Sequence, residues 1–159
     1  MEQQRRIYRI LDANLNRAAE GLRVLEELGR FLLDRGELSL AAKELRHDLA
    51  AAAQVIPGGR RRLVAARDAA GDVGAPYSPR EGRAGVADLA AANARRVAEA
   101  LRALEEFGKL ASPDAAPHFK ELRFRAYGLE QRLYEALDAT EGKGATVHDQ
   151  RGDTGEDPR

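Results

Sequence analysis

The chain has 159 residues, the length of one domain, and its 26 basic and 26 acidic side chains cancel. That balance provides no overall field to steer the protein toward nucleic acid or a membrane. The absence of cysteine excludes disulfides, thiolate catalysis and Cys-based zinc sites. Scarce aromatics, no Trp, and abundant Ala, Leu, Arg and Glu are the composition of packed helices.

The opening MEQQRRIYRILDANLNR carries charge throughout and lacks the apolar stretch of a signal peptide. No apolar run is long enough to cross a bilayer, so the expected location is the cytoplasm. From Ile7, apolar or small residues recur at helical spacing: Ile7, Leu11, Asn14, Ala18, Gly21, Leu25, Leu28 and Leu32. This first helix is expected to end at Arg35-Gly36. A second runs from about Leu38 to Val55 and stops at Pro57-Gly58-Gly59. Residues 56–85 read as a long central loop, beginning with the basic Arg60-Arg61-Arg62 and containing ARDAAGDVGAPYSPREGRAG. Loops of that length are usually functional or disordered. A third helix is expected from Val86 to Leu110, with the seam Val86, Ala90, Asn93, Val97, Ala100, Leu104, Phe107 and Ala111. Ser112-Pro113 breaks it, Ser112 being a good N-cap. The fourth helix should reach about Leu137. Residues 139–159 have almost no large apolar side chain and are expected to form a disordered tail.

The first and third helices are copies in sequence. ANLNRAAEGLRVLEELGRF from Ala13 and ANARRVAEALRALEEFGKL from Ala92 are identical at 11 of 19 positions. Lys43-Glu44-Leu45-Arg46 likewise recurs as Lys120-Glu121-Leu122-Arg123. The reading is an all-α helical bundle over residues 1–138, made from a duplicated two-helix hairpin (7–55 and 86–137) with pseudo-twofold packing.

Asn14 and Asn93 hold matching core positions, and a buried amide needs partners. Two roles suit them: a polar residue that fixes helix register, or recognition of an aminopyrimidine edge, as Asn reads adenine. Arg17, Glu20, Arg23 and Glu27 recur as Arg96, Glu99, Arg102 and Glu106, mostly helix-face charges. Arg17 and Arg96 flank the asparagines, where either a phosphate clamp or a structural salt bridge fits. In the loop, Arg67-Asp68, Asp72-Val73-Gly74, Glu81 and Arg83 are acids, arginines and glycines in close order. Such a set suits Mg²⁺, which takes one or two carboxylates plus substrate phosphates, but ordinary turns share the composition. His47 could serve as a general acid or base or pair with a neighbouring acid. No P-loop and no paired-histidine metal motif occurs.

The runs LDANLNRAAEGLRVLEELGRF, KELRHDL, ARDAAGDVG and ANARRVAEALRALEEFGK resemble one small family over about residues 7 to 135. It is the alternative hydroxymethylpyrimidine-phosphate kinase of thiamine biosynthesis, a helical domain that stands alone or precedes thiamine-phosphate synthase. The resemblance implies transfer of the ATP γ-phosphoryl group, with Mg²⁺, onto 4-amino-2-methyl-5-hydroxymethylpyrimidine phosphate. It carries over Arg67, Asp72 and His47 as catalytic residues, and Asp68 with Asp72 as metal ligands. Asn14, Arg17, Glu20, Arg46, Gly74, Glu81, Asn93, Arg96 and Glu99 carry over as substrate-binding residues. Ala69 stands where the family is expected to have threonine. The alternative is a non-catalytic helical module that binds the pyrimidine or docks onto thiamine-phosphate synthase. The expected partners are the two small-molecule substrates, thiamine-phosphate synthase and a second copy of the chain, with no nucleic acid.

Overall fold

The structure, a computed structural model, describes residues 1–74 and 82–146, with the backbone alone over 141–146. The described residues form five α-helices: α1 (Glu2–Glu27), α2 (Gly36–Gln54), α3 (Gly59–Ala65), α4 (Val86–Ala111) and α5 (Ala116–Thr146). A π-helical turn, Leu28–Leu32, follows α1, and a 3-10 turn, Pro113–Ala115, precedes α5. The described residues contain no strand, so the fold is all-α, as composition and periodicity predict. None of these helices is long and apolar enough to cross a membrane.

Each long helix buries one stripe. Leu11, Ala18, Leu22 and Leu25 of α1 face Ala90, Val97, Leu101 and Leu104 of α4 within a single core. Helix α1 packs on α2 and α4, α4 packs on α5, and α5 returns to α2. Full burial of a leucine contributes about 1.5–3 kcal/mol, against about 0.3–0.5 kcal/mol for an exposed i,i+4 ion pair. The stripes, not the surface charges, therefore hold the bundle.

The α1–α4 approach is close. A Cβ on Gly21 would lie 2.7 Å from Val97 Cγ2 and 3.1 Å from the Asn93 carbonyl oxygen. Asn14 and Arg17, earlier on α1, instead line a cleft with Arg96, Glu99 and Ala100, later on α4. Rising numbers on one helix meet falling numbers on the other, so the two run antiparallel.

Two glutamates are buried behind this crossing. Arg46 donates to Glu26 at 3.2 and 3.0 Å, and Arg23 adds a third contact at 3.4 Å. Arg123 donates to Glu105 at 3.3 and 2.8 Å, and Arg102 adds one at 3.1 Å. The two sets occupy matching positions of the sequence repeat. Burial pushes the Glu105 carboxyl up, but Arg123, helped by Arg102, outweighs it and holds the group below its ordinary value. The arginine is raised in turn by hydrogen bonds to Tyr127 and Glu105.

Several boundaries differ from expectation. The sequence places the end of the fourth helix near Leu137, yet α5 continues to Thr146. Leu137 is its last buried side chain described, and residues 138–140 beyond it are exposed. The rest of the expected tail, 147–159, lies outside the described residues. Within the expected loop 56–85, residues Gly59–Ala65 form α3. Gly58 (φ 83°) and Gly59 (φ 50°) make the turn into it, in a region that favours glycine. Leu32, expected in the first seam, is exposed. The π turn carries an extra residue, which rotates Leu32 off the stripe. Ser112 makes no side-chain cap; its hydroxyl donates to the Val55 carbonyl at 3.3 Å.

Replacing Arg123 by Met should destabilise the protein by about 3 kcal/mol, because it leaves the buried Glu105 carboxylate with only the half-exposed Arg102 as partner; a shift in the urea midpoint reads it. The Glu105 contribution is complete above the ordinary carboxyl value of 4.5 and is lost as pH falls through the depressed folded value. The midpoint difference between wild type and Glu105→Gln should therefore shrink below that pH; a growing difference contradicts the assignment. Gly21→Ala gains about 1 kcal/mol of helix propensity, yet it should lower the Tm. Val97 is fully buried and stiff at χ1, so it cannot move aside. Adding Val97→Ala should restore part of the loss.

Candidate functional site

The site begins with how the segment after α2 is fastened to α1. Tyr8 Oη donates to the Pro57 carbonyl at 2.9 Å, and the Arg62 guanidinium lies 4.2 Å from the Tyr8 ring centre. Both contacts hold α3 against α1. Arg67 then forks onto Asp12, Nε to Oδ2 at 2.5 Å and Nη2 to Oδ1 at 3.0 Å. That contact raises the Arg67 pKa and fixes the segment's register. Arg9 donates to the Asp68 carbonyl at 2.8 Å and lies 3.6 Å from the Asp68 carboxylate and 3.9 Å from that of Asp72. The carboxylates order their own turns: Asp68 Oδ1 accepts from the Gly71 N–H at 2.9 Å, and Asp72 Oδ1 from the Gly74 N–H at 3.0 Å.

Between α1 and this segment opens a cleft of about 540 Å³, within the range of small-molecule sites. Its α1 wall carries Arg5, Arg9, Asn14 and Arg17; the opposite wall carries Asp68 and Asp72. A second cleft of about 380 Å³ lies between α1 and α4, lined by Arg17, Arg95, Arg96, Glu99 and again Asn14. Asn14 and Arg17 are the two residues common to both.

Asn14 is buried, and its amide donates to the Ile10 carbonyl at 2.9 Å while Oδ1 faces Arg17 Nη1 at 3.5 Å. Asn93 makes the matching bond to the Leu89 carbonyl, also at 2.9 Å, but lines neither cleft. The matched asparagines thus differ in access. The first lines a cleft with the Arg67–Gly74 segment; the second lies where its backbone carbonyl meets Gly21 of α1.

Of the residues expected at the site, Asn14, Arg17, Asp68 and Asp72 meet in the first cleft, with Gly74 bonded to Asp72 at its edge. Arg96 and Glu99 line the second, while Glu20 is exposed on α1 outside both. Arg67 binds Asp12, so in this structure it positions the segment. Arg46, expected to bind substrate, is forked onto Glu26 and lines neither cleft. His47 is exposed on α2, away from both clefts. Glu81 lies outside the described residues.

Sequence reasoning missed Arg5, Arg9, Asp12 and Arg95. The repeat held a signal for the first three, because they align with Ala84, Asp88 and Ala91. None of the three charges is repeated in the second copy, and the first copy is the one the loop segment covers.

No group of three or more candidate ligands is preassembled for a metal among the described residues. Asp68 and Asp72 nevertheless share one cleft wall, which fits Mg²⁺, an ion that takes one or two carboxylates and completes its shell with water and phosphate oxygens.

A family model described as the ThiD2 family matches residues 9–132. Thiamine-phosphate synthase of Nostoc sp. is 46% identical over 132 residues, covering 82% of this chain and 36% of the relative. That of Synechocystis sp. is 48% identical over 129 residues, covering 80% and 36%. That of Rhodopirellula baltica is 41% identical over 133 residues, covering 82% and 35%. The chain therefore spans about a third of the curated relatives it matches. No solved structure matches it. The match of the family model runs from Arg9 through both clefts and into α5, and on it the chain belongs to the ThiD2 family.

Proposed function

We propose that this chain is a phosphotransferase of thiamine biosynthesis that converts 4-amino-2-methyl-5-hydroxymethylpyrimidine phosphate to its diphosphate with Mg-ATP. The observation that carries the reading is the first cleft, where guanidinium groups of α1 face two carboxylates across a space of small-molecule size. The relatives named for thiamine-phosphate synthase supply the pathway.

The reaction joins two anions. An oxygen of the acceptor phosphate attacks the γ-phosphorus, an O–P bond forms, and the bond to the β–γ bridging oxygen breaks, its electron pair leaving with ADP. The second pKa of a phosphate monoester is about 6, so the nucleophile is already deprotonated at neutral pH. A general base is unnecessary, which accords with an exposed His47 away from the clefts. Positioning and charge neutralisation remain to be supplied. Arg9 and Arg17 hold phosphate oxygens, and Asp68 and Asp72 would hold Mg²⁺. Bound there, the ion would neutralise charge developing on the β- and γ-phosphate oxygens. Arg67, forked onto Asp12, keeps the carboxylates facing α1.

The test is an assay of purified protein with Mg-ATP and the pyrimidine monophosphate, following formation of the diphosphate. Turnover should appear, and the unphosphorylated hydroxymethylpyrimidine should be a poor substrate. Binding of the pyrimidine phosphate with no turnover would leave a non-catalytic pyrimidine-binding or docking module. Asp72→Asn keeps the shape and removes the charge; it should lower turnover roughly ten- to a hundredfold without changing the Tm, since Asp72 is exposed. Asn14→Leu should weaken pyrimidine binding at little cost in stability, because the Asn14 amide donates only to a carbonyl of its own helix.

A further inference from the structure

The described arginines of the bundle fall into two groups. Arg23, Arg46, Arg67, Arg102 and Arg123 each have a carboxylate partner. Several others, Arg5, Arg30 and Arg132 among them, have none among the described residues, and of these Arg17, Arg95 and Arg96 converge on one cleft between α1 and α4. Three like charges gathered without an ion-pair partner repel one another, and an anionic ligand relieves that repulsion.

The two clefts differ in size and chemistry. The larger pairs its guanidinium groups with Asp68 and Asp72, a set that suits a polyphosphate carrying a divalent cation. The smaller adds one carboxylate, Glu99, to its three arginines. A carboxylate accepts from the amino group of an aminopyrimidine, as Glu or Asp accepts from cytosine, while the arginines suit a monophosphate. Resting on the kinase reading above, we infer that the substrates are divided between the clefts. The nucleoside triphosphate lies between α1 and the 66–74 segment, and the aminopyrimidine monophosphate lies between α1 and α4. Arg17, the charged residue that lines both, sits between the two phosphates. It touches the transferring phosphoryl group and is a catalytic residue in that sense, offsetting the repulsion between donor and acceptor as they close.

Direct binding of each ligand to single variants tests the division. The probes are a non-transferable ATP analogue with Mg²⁺ and the pyrimidine monophosphate, each titrated calorimetrically into the full chain. Arg9→Met should weaken the nucleotide roughly ten- to a hundredfold and leave the pyrimidine phosphate nearly unchanged. Arg96→Met should do the reverse. Arg17→Met should lower kcat further than it weakens either ligand, and Arg17→Lys should recover part of the rate but not all, because a lysine cannot fork onto two anions. Thermal melts on each variant exclude unfolding as the cause. If wild type binds both ligands but Arg96→Met weakens the nucleotide and spares the pyrimidine phosphate, or weakens both equally, the division is wrong while the kinase reading stands. If wild type binds neither, the kinase reading fails and the division with it.

Discussion

Helix α1 meets α4 where Gly21 lies against Val97 and the Asn93 carbonyl, an approach closed to any residue with a side chain unless a neighbour shifts. That contact sets the antiparallel register of the two helices. Through the register it decides which residues share a cleft: Asn14 and Arg17 stand across from Arg96 and Glu99. A slide of one turn would carry Arg17 past its α4 counterparts. The buried Glu26 and Glu105 then tie each of the two helices to its own hairpin partner. Such pairs add little net stability but are costly to break, so they oppose any other arrangement of the hairpins.

The second constraint breaks the likeness of the two halves. Tyr8, Arg9 and Asp12 fasten the segment after α2 to α1. At the matching positions α4 has Ala87, Asp88 and Ala91, none of which can make the same contacts. One asparagine lines two clefts while its counterpart lines neither. A symmetric frame could hold two equal sites. The asymmetric one offers two unlike clefts side by side, as the proposed transfer between unlike substrates requires.

Much of the fold was legible in the sequence because the helical stripes are regular. Ile7 to Leu28 and Ala90 to Leu104 are buried at the predicted spacing. Helix α3 escaped notice because RRRLVA is too short for a period to show and its arginines read as solvated loop. The end of α5 escaped because the apolar stripe stops at Leu137 and residues 138–140 are exposed. Asn14, Arg17, Asp68 and Asp72, singled out as polar residues in a seam and acids beside glycines, line one cleft. The partner of Arg67 was not legible, because the Arg67–Asp12 pair spans the gap between loop and first helix, and no local spacing encodes such a contact. Arg46 was misplaced for the opposite reason. A repeated arginine can mark a repeated structural pair, and only Glu26 beside it in space tells the two apart.

The proposed division of the substrates turns on Arg17 standing between two phosphates held in different clefts. A crystal structure of the protein with Mg²⁺, a non-transferable ATP analogue and the pyrimidine monophosphate measures this directly. The γ-phosphate should lie on the Asp68 and Asp72 side of Arg17 and the acceptor phosphate on the Arg96 side, both within hydrogen-bond reach of its guanidinium. Both ligands found in one cleft, or bound with Arg17 touching neither phosphate, would contradict it.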